Sequence, residues 1–158
     1  MHTPDEIFMR EAIRLAAEGM RSGEGGPFGA IVVKDGVIIG RGNNRVAKHM
    51  DPTAHAEVEA IRDACRHLGY FQLNGCTLYT SCEPCPMCLG AIYWARPDRV
   101  VYACSREDAA AIQFDDDFIY REIMIPPGQR RIPATQLLRN EAWQVFEEWT
   151  QLPDKFEY

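Results

Sequence analysis

The chain has 158 residues, 46% of them hydrophobic and 25% charged, a balance that fits an ordinary globular protein and excludes a disordered or fibrous one. A folded chain of this size buries roughly 68–70% of its unfolded surface, so a core forms without staples and the six cysteines are not needed as scaffolding. Seventeen basic against 23 acidic side chains leave a net charge of -6, which argues against a broad phosphate-binding surface and against nucleic acid as a partner.

The amino terminus, MHTPDEIFMREAIRLA, carries acid where a secretory leader needs basic residues, and it lacks a continuous apolar stretch. The longest apolar runs, of the AIVV and VII type, fall far short of the roughly 18 residues a membrane span requires. The expectation is a soluble, cytoplasmic protein without a membrane partner. In such a reducing compartment cysteines serve as buried filler, metal ligands or nucleophiles, so their spacing is informative; four of the six lie between Cys76 and Cys88.

In chain order, the first twenty residues read as an amphipathic helix. Ile7, Phe8, Ala12, Leu15 and Ala16 recur at helical spacing, interrupted only by Glu11, and Gly19 is placed to end it. GAIVV and VIIGRG, joined by Asp35 and Gly36, give the strongest hairpin signal, because Asp-Gly accepts positive φ at both turn positions. DPTAHAEVEAIRDACRHLG starts a second helix, with Asp51 or Thr53 as N-cap, Pro52 in the first turn, Gly69 after the end, and Val58, Ile61, Cys65 and Leu68 as its buried stripe. CTLYT at 76–80 is a strand, followed by a helix that begins near Pro84 and stops before Pro97; RVVYAC at 99–104 is the next strand. PPGQRR at 126–131 is a possible hinge, and from Thr135 the tail adds one strand and one helix. Strands alternating with helices predict one α/β domain over 1–158, a three-layer α/β/α arrangement around a mixed sheet of roughly five strands.

His55, Cys85 and Cys88 stand out as zinc ligands, since neutral imidazole and thiolate are the usual donors for that ion in intracellular proteins. Cys85 and Cys88 are three apart in a helix beginning at Pro84, which puts both sulfurs on one face of its first turn, and His55 lies in another first turn. Two helix amino termini aimed at one point favour the anionic ligands. Three protein ligands leave a fourth position for water, which is the habit of a catalytic zinc. Glu57, two residues beyond His55, does not share its direction but reaches that water from the side. HAE followed by PCPMC fits the H-x-E…P-C-x-x-C signature of zinc-dependent nucleobase deaminases.

Other readings of the cysteines stay open. CxxC is also a redox motif, although the thioredoxin-like context is missing. Cys82, Cys85 and Cys88 with His55 would make a closed Cys₃His structural site, the arrangement of a zinc-structured binding module. An iron–sulfur run would need a cysteine and a proline where Ile92 and Tyr93 stand.

GGPFGAIVVKDG, NNR, DPTAHAEVEAIR, TSCEPCPMCLGAIYWAR and FDDDFIY, spread through most of the chain, resemble the small zinc-dependent bacterial guanine deaminases of the cytidine deaminase superfamily. The resemblance implies a cytidine deaminase-like fold and one Zn²⁺ per subunit held by His55, Cys85 and Cys88. It further implies Glu57 as proton shuttle and Asp115 as a second catalytic carboxylate near the departing amino group. Asn44, Ala56 and Tyr158 are implied as substrate contacts, and Phe28, an aromatic beside Gly29, offers a wall for the ring. It also implies a homodimer in which the carboxyl-terminal segment, 132–158, is exchanged so that its tail caps the partner's pocket. Trp143, Phe146 and Trp149 precede Tyr158 as a stripe that must be buried against something. The expected activity is hydrolysis of free guanine to xanthine and ammonia, in purine salvage or catabolism. A deaminase of cytosine, of an aminotriazine or of adenosine in tRNA shares the HAE and PCxxC elements, and the net acidity favours the free base over tRNA.

Overall fold

The computed structural model describes residues 2–158. The chain divides into two compact units, the first running to Asp116 and the second comprising Asp117–Tyr158. No helix among the described residues is long and apolar enough to cross a membrane.

In the first unit, α1 (Pro4–Arg21) opens on a reciprocal cap, the Glu6 N–H donating to Thr3 Oγ1 and the Thr3 N–H to Glu6 Oε2. The helix runs through Gly19, which was expected to end it, and is capped at Ser22. Gly19 is required for another reason: a Cβ there would stand 2.2 Å from Asn43 Nδ2. Strands β1 (Gly29–Lys34) and β2 (Val37–Asn43) form the expected hairpin, with Asp35 and Gly36 at φ 49° and 76°. After a single helical turn, α2 (Val46–His49), come α3 (Ala56–Leu68), β3 (Cys76–Cys82), α4 (Pro86–Ala95), β4 (Arg99–Cys104) and α5 (Arg106–Ala111).

The sheet order is β2-β1-β3-β4, antiparallel except for the β3–β4 pair. The alternation of side chains on β1 and β3 separates two cores. Ile31, Val33 and Tyr79 face Phe8, Met9 and Leu15 of α1. Ala30, Val32, Cys76 and Leu78 face Ala56, Ala60 and Ala64 of α3 and Ile92 and Ala95 of α4. Each fully buried Ile or Leu in these cores, such as Ile31 and Leu78, contributes about 1.5–3 kcal/mol.

The buried stripe of α3 is thus made of alanines, with Ile61, Cys65 and Leu68 at its half-buried margin, a rotation of the stripe expected from the larger side chains. The cause is close approach: a Cβ on Gly40 would meet the Ala60 carbonyl at 2.5 Å, and one on Gly42 the Ala56 carbonyl at 2.3 Å. Larger residues do not fit between α3 and β2.

The second unit holds α6 (Asp117–Met124), a 3₁₀ turn at Pro127–Gln129 and α7 (Arg139–Gln151). PPGQRR is folded onto α6 rather than acting as a hinge, with Arg130 Nε donating to the Glu122 and Ile125 carbonyls and the Arg131 N–H to Glu122 Oε2. The strand expected from Thr135 does not form, so the described residues carry four strands rather than five. Pro133 removes a ladder donor, and Leu138 turns to φ 53° to start α7.

Candidate metal centre and active site

Two prolines and one aspartate position the ligands. Pro86 is the first residue of α4 and forces the residue before it into an extended conformation, so Cys85 becomes the N-cap at φ -66°, ψ 168° and the helix starts two residues later than Pro84 suggested. Its sulfur accepts from the Cys88 N–H at 3.5 Å. Upstream of α3, the Asp51 carboxylate accepts from both the N–H and the hydroxyl of Thr53 at 2.8 and 2.7 Å. This local turn uses Asp51, expected as a cap, before the helix begins, and Pro52 lies outside the first turn. The N-cap is His55. Both ends therefore present a ligand at the positive pole of a helix.

The three donors converge. His55 Nδ1 lies 3.5 Å from Cys85 Sγ and 3.4 Å from Cys88 Sγ, and the ligand atoms all fall within 4.8 Å of one another. Cys82 is outside this cluster, its thiol pointing to the Ser105 carbonyl at 3.6 Å, and burial pushes it up to about 11. The Cys85 thiol is instead lowered to about 4 by hydrogen bonds from the Cys88 thiol, His55 and the Cys88 N–H. Cys88 is pushed up, because its proton is held against the Cys85 sulfur and its site is buried. His55 is raised by the Cys85 sulfur. Soft, electron-rich donors pulled together in this way suit a thiophilic dication.

Glu57 is 6% exposed, and its Oε1 accepts from Thr80 Oγ1 at 3.1 Å. Burial raises its carboxyl above the usual range, the property wanted of a group that must both take and give a proton. It stands beside the cluster without belonging to it.

Asn44 is 6% exposed at the end of β2; its Oδ1 accepts from the Val46 N–H at 3.2 Å, so its remaining polar group for a ligand is the Nδ2 donor. Neighbouring Asn43 donates to Glu24, which also binds Lys48 and Arg45. Arg45 in turn reaches buried Glu59. Phe28 is half-buried and meets Phe114 edge to face at 5.0 Å. Ala56 is fully buried, so what it offers is a backbone N–H in the first turn of α3, where no preceding carbonyl takes it.

Asp115 is exposed. The half-buried member of the pair is Asp116, raised chiefly by burial and further by the negative charge of Cys85. Tyr158 ends the second unit and is 66% exposed. The sequence reading missed Thr80 and Asp116. A polar residue on the buried face of β3 was a signal for Thr80; a run of three aspartates has no period that singles out Asp116.

Residues 2–104 match the family described as the cytidine and deoxycytidylate deaminase zinc-binding region. The chain is 56% identical over 153 residues to a guanine deaminase of Bacillus subtilis, covering 97% of this chain and 98% of that one. An X-ray structure of guanine deaminase from Bacillus subtilis superposes with a TM-score of 0.95 at 55% identity, covering 100% of this chain and 99% of that one. A tRNA-specific adenosine deaminase of Aquifex aeolicus is 45% identical over 98 residues, 62% of this chain and 64% of that one. The chain belongs to the cytidine and deoxycytidylate deaminase zinc-binding family, and His55, Cys85 and Cys88 form a cluster able to hold a zinc ion.

Proposed function

We propose that the protein is a zinc-dependent guanine deaminase, hydrolysing guanine to xanthine and ammonia. The observation that carries the substrate is the extent of the likeness: identity to the Bacillus guanine deaminase runs over 153 of the 158 positions and so enters both units, whereas likeness to the tRNA deaminase spans 98. The net charge of -6 supports the same choice.

Zinc, when bound, supplies a Lewis acid that makes a coordinated water acidic near neutral pH. His55, Cys85 and Cys88 would hold it, and with both cysteines as thiolates its formal charge would be cancelled, so that the proton traffic falls to Glu57. Glu57 takes a proton from the attacking water and passes it to the adjacent ring nitrogen, then takes the proton of the new C2 hydroxyl and gives it to the amino group, so that the C2–N bond breaks with loss of ammonia as the C2 carbonyl forms. Its burial keeps it able to hold that proton between the two steps. Asn44 Nδ2 donates to an acceptor edge of the base, the Ala56 N–H offers a second donor, and Phe28 walls the ring. A carboxylate of the 115–117 run accepts from the guanine N–H groups. Asp115 holds that place by family resemblance, and half-burial beside the Cys85 charge favours Asp116.

The working form in this reading is a homodimer whose 132–158 segments are exchanged, each tail placing Tyr158 over the partner's base. Aromatic surface supports it. In the first unit Tyr93, Trp94 and Tyr102 are 76, 62 and 51% exposed, and in the second Trp143, Phe146 and Trp149 are 46, 61 and 40% exposed, more than a monomer ordinarily leaves in water. Six free thiols suit the cytoplasm.

Ammonia release from guanine, adenine, cytosine, cytidine and tRNA, measured side by side, tests the function. Guanine should be the preferred substrate, and Glu57→Gln should lower turnover at least about 100-fold while zinc stays stoichiometric. No ammonia from guanine, or full activity in the zinc-loaded variant, would remove the reading.

A further inference from the structure

Thr80 stands on the central strand β3, hydrogen-bonded to β1 on one side and β4 on the other. Its side chain takes the same face as Leu78, towards α3, while Tyr79 and Ser81 take the other, where Ser81 Oγ accepts from the Gly29 N–H at 3.0 Å. Cys76 and Leu78 on that side pack the core; Thr80, 1% exposed, brings a hydroxyl.

That hydroxyl has one hydrogen and two acceptors, Glu57 Oε1 at 3.1 Å and the Cys82 carbonyl at 3.0 Å. A carbonyl cannot donate, and a carboxylate is the stronger acceptor. With Glu57 ionised, the hydrogen belongs on Oε1. The β-branch of threonine restricts χ1, so the donor is held by a stiff side chain on a strand paired on both edges. Glu57, by contrast, is a long side chain on the first turn of α3 and has three torsions to fix. Its carboxylate also receives its own backbone N–H and the Cys88 thiol; the strand adds a donor that does not move with the helix.

We propose that Thr80 is a positioning residue for Glu57: its hydroxyl engages Oε1, fixes the plane of the carboxylate and leaves Oε2 as the oxygen that exchanges protons with the reacting atoms. The role extends the guanine-deaminating reading and rests on it for the activity measurement. Thr80 touches neither substrate nor metal in this role. Losing it misplaces the shuttle without altering the groups that bind the base, so the effect falls on kcat.

The test compares zinc-loaded Thr80→Val, which keeps shape and loses the hydroxyl, with Thr80→Ser, which keeps the hydroxyl and loses a methyl. Thr80→Val should lower kcat for guanine by about 10- to 100-fold, with KM within about twofold and zinc content unchanged, and Thr80→Ser should recover kcat to within about threefold. Equal losses in the two variants, an unchanged kcat in Thr80→Val, or loss of zinc or solubility in Thr80→Val with full activity in Thr80→Ala would overturn the proposal. A crystal structure of zinc-loaded Thr80→Val reads the same claim without substrate. The Glu57 carboxylate should leave its wild-type plane, and an identical placement refutes the role. If the wild type releases no ammonia from guanine, the functional reading fails while this structural readout still decides Thr80.

Discussion

Cys82 and Cys85 differ by three positions and by the whole of their chemistry. Cys82 is buried with its thiol on the Ser105 carbonyl and is pushed up to about 11; Cys85 caps a helix, receives hydrogen bonds and is held near 4. CxxCxxC in the sequence offered three thiols and no means of choosing between an open and a closed site. The choice was made by where the strand ends and the helix begins. β3 runs through Cys82, so the pleat governs that side chain, whereas Pro84 and Pro86 release Cys85 from both elements. Cys82→Ser is therefore expected to retain one zinc per chain and turnover within about threefold, at a cost of about 1 kcal/mol in stability. Zinc loss in that variant, measured by metal analysis after gel filtration, would mean a fourth protein ligand.

At the scale of elements, the hairpin, the βαβ succession and the helix ends at Gly69 and before Pro97 were legible, because each depends on residues within a few positions. Gly19 and the α3 stripe were not. A glycine in a helix looks the same whether it ends the helix or admits a neighbour, and here the neighbour, Asn43, comes from 24 residues away. The clustering of His55, Cys85 and Cys88 was readable as spacing, while the contact of Thr80 with Glu57 needed the packing of β3 against α3.

Glu24 ties several of these elements together, binding Lys48, Asn43 and Arg45 beside the Asn44 loop. Lys48 and Asn43 lower its carboxyl from 4.5 to about 2. The folded state thus binds fewer protons than the unfolded one between these values. The stabilisation is complete above about pH 4.5 and is lost as pH falls through about 2. Glu24→Gln should unfold at a lower temperature near neutrality, and its melting temperature should fall less steeply than the wild type's between pH 4.5 and 2. Parallel slopes in scanning calorimetry would show that the network contributes nothing through this charge.

For the whole molecule, the division after Asp116 leaves a first unit with its own two-sided core and a second with no buried residue in α6 or α7. A helix pair that exposes Trp143, Phe146 and Trp149 gains little from folding alone. The exchanged dimer proposed above would cover that surface, and in that case light scattering should return twice the 18.0 kDa of one chain. Removing residues 153–158, with Tyr158 among them, should reduce guanine turnover at least about tenfold while moving the melting temperature by only a few degrees. Unaltered turnover would release the tail from any part in the site. Sequence could suggest the exchange only through likeness, since an unburied stripe states that a partner surface exists and not which chain owns it.

The alanine face of α3, seated on Gly40 and Gly42 with no room for a Cβ, also bears on how such a protein can change its diet. In the function proposed above, the helix that presents His55 and Glu57 has little room to shift, so altered specificity would be recruited elsewhere, from the Asn44 loop, the 114–116 run and the tail. Chemistry and appetite are thereby inherited separately. Directed evolution towards another aminated ring should accumulate its productive changes in those three segments and leave the seam between α3 and β2 untouched.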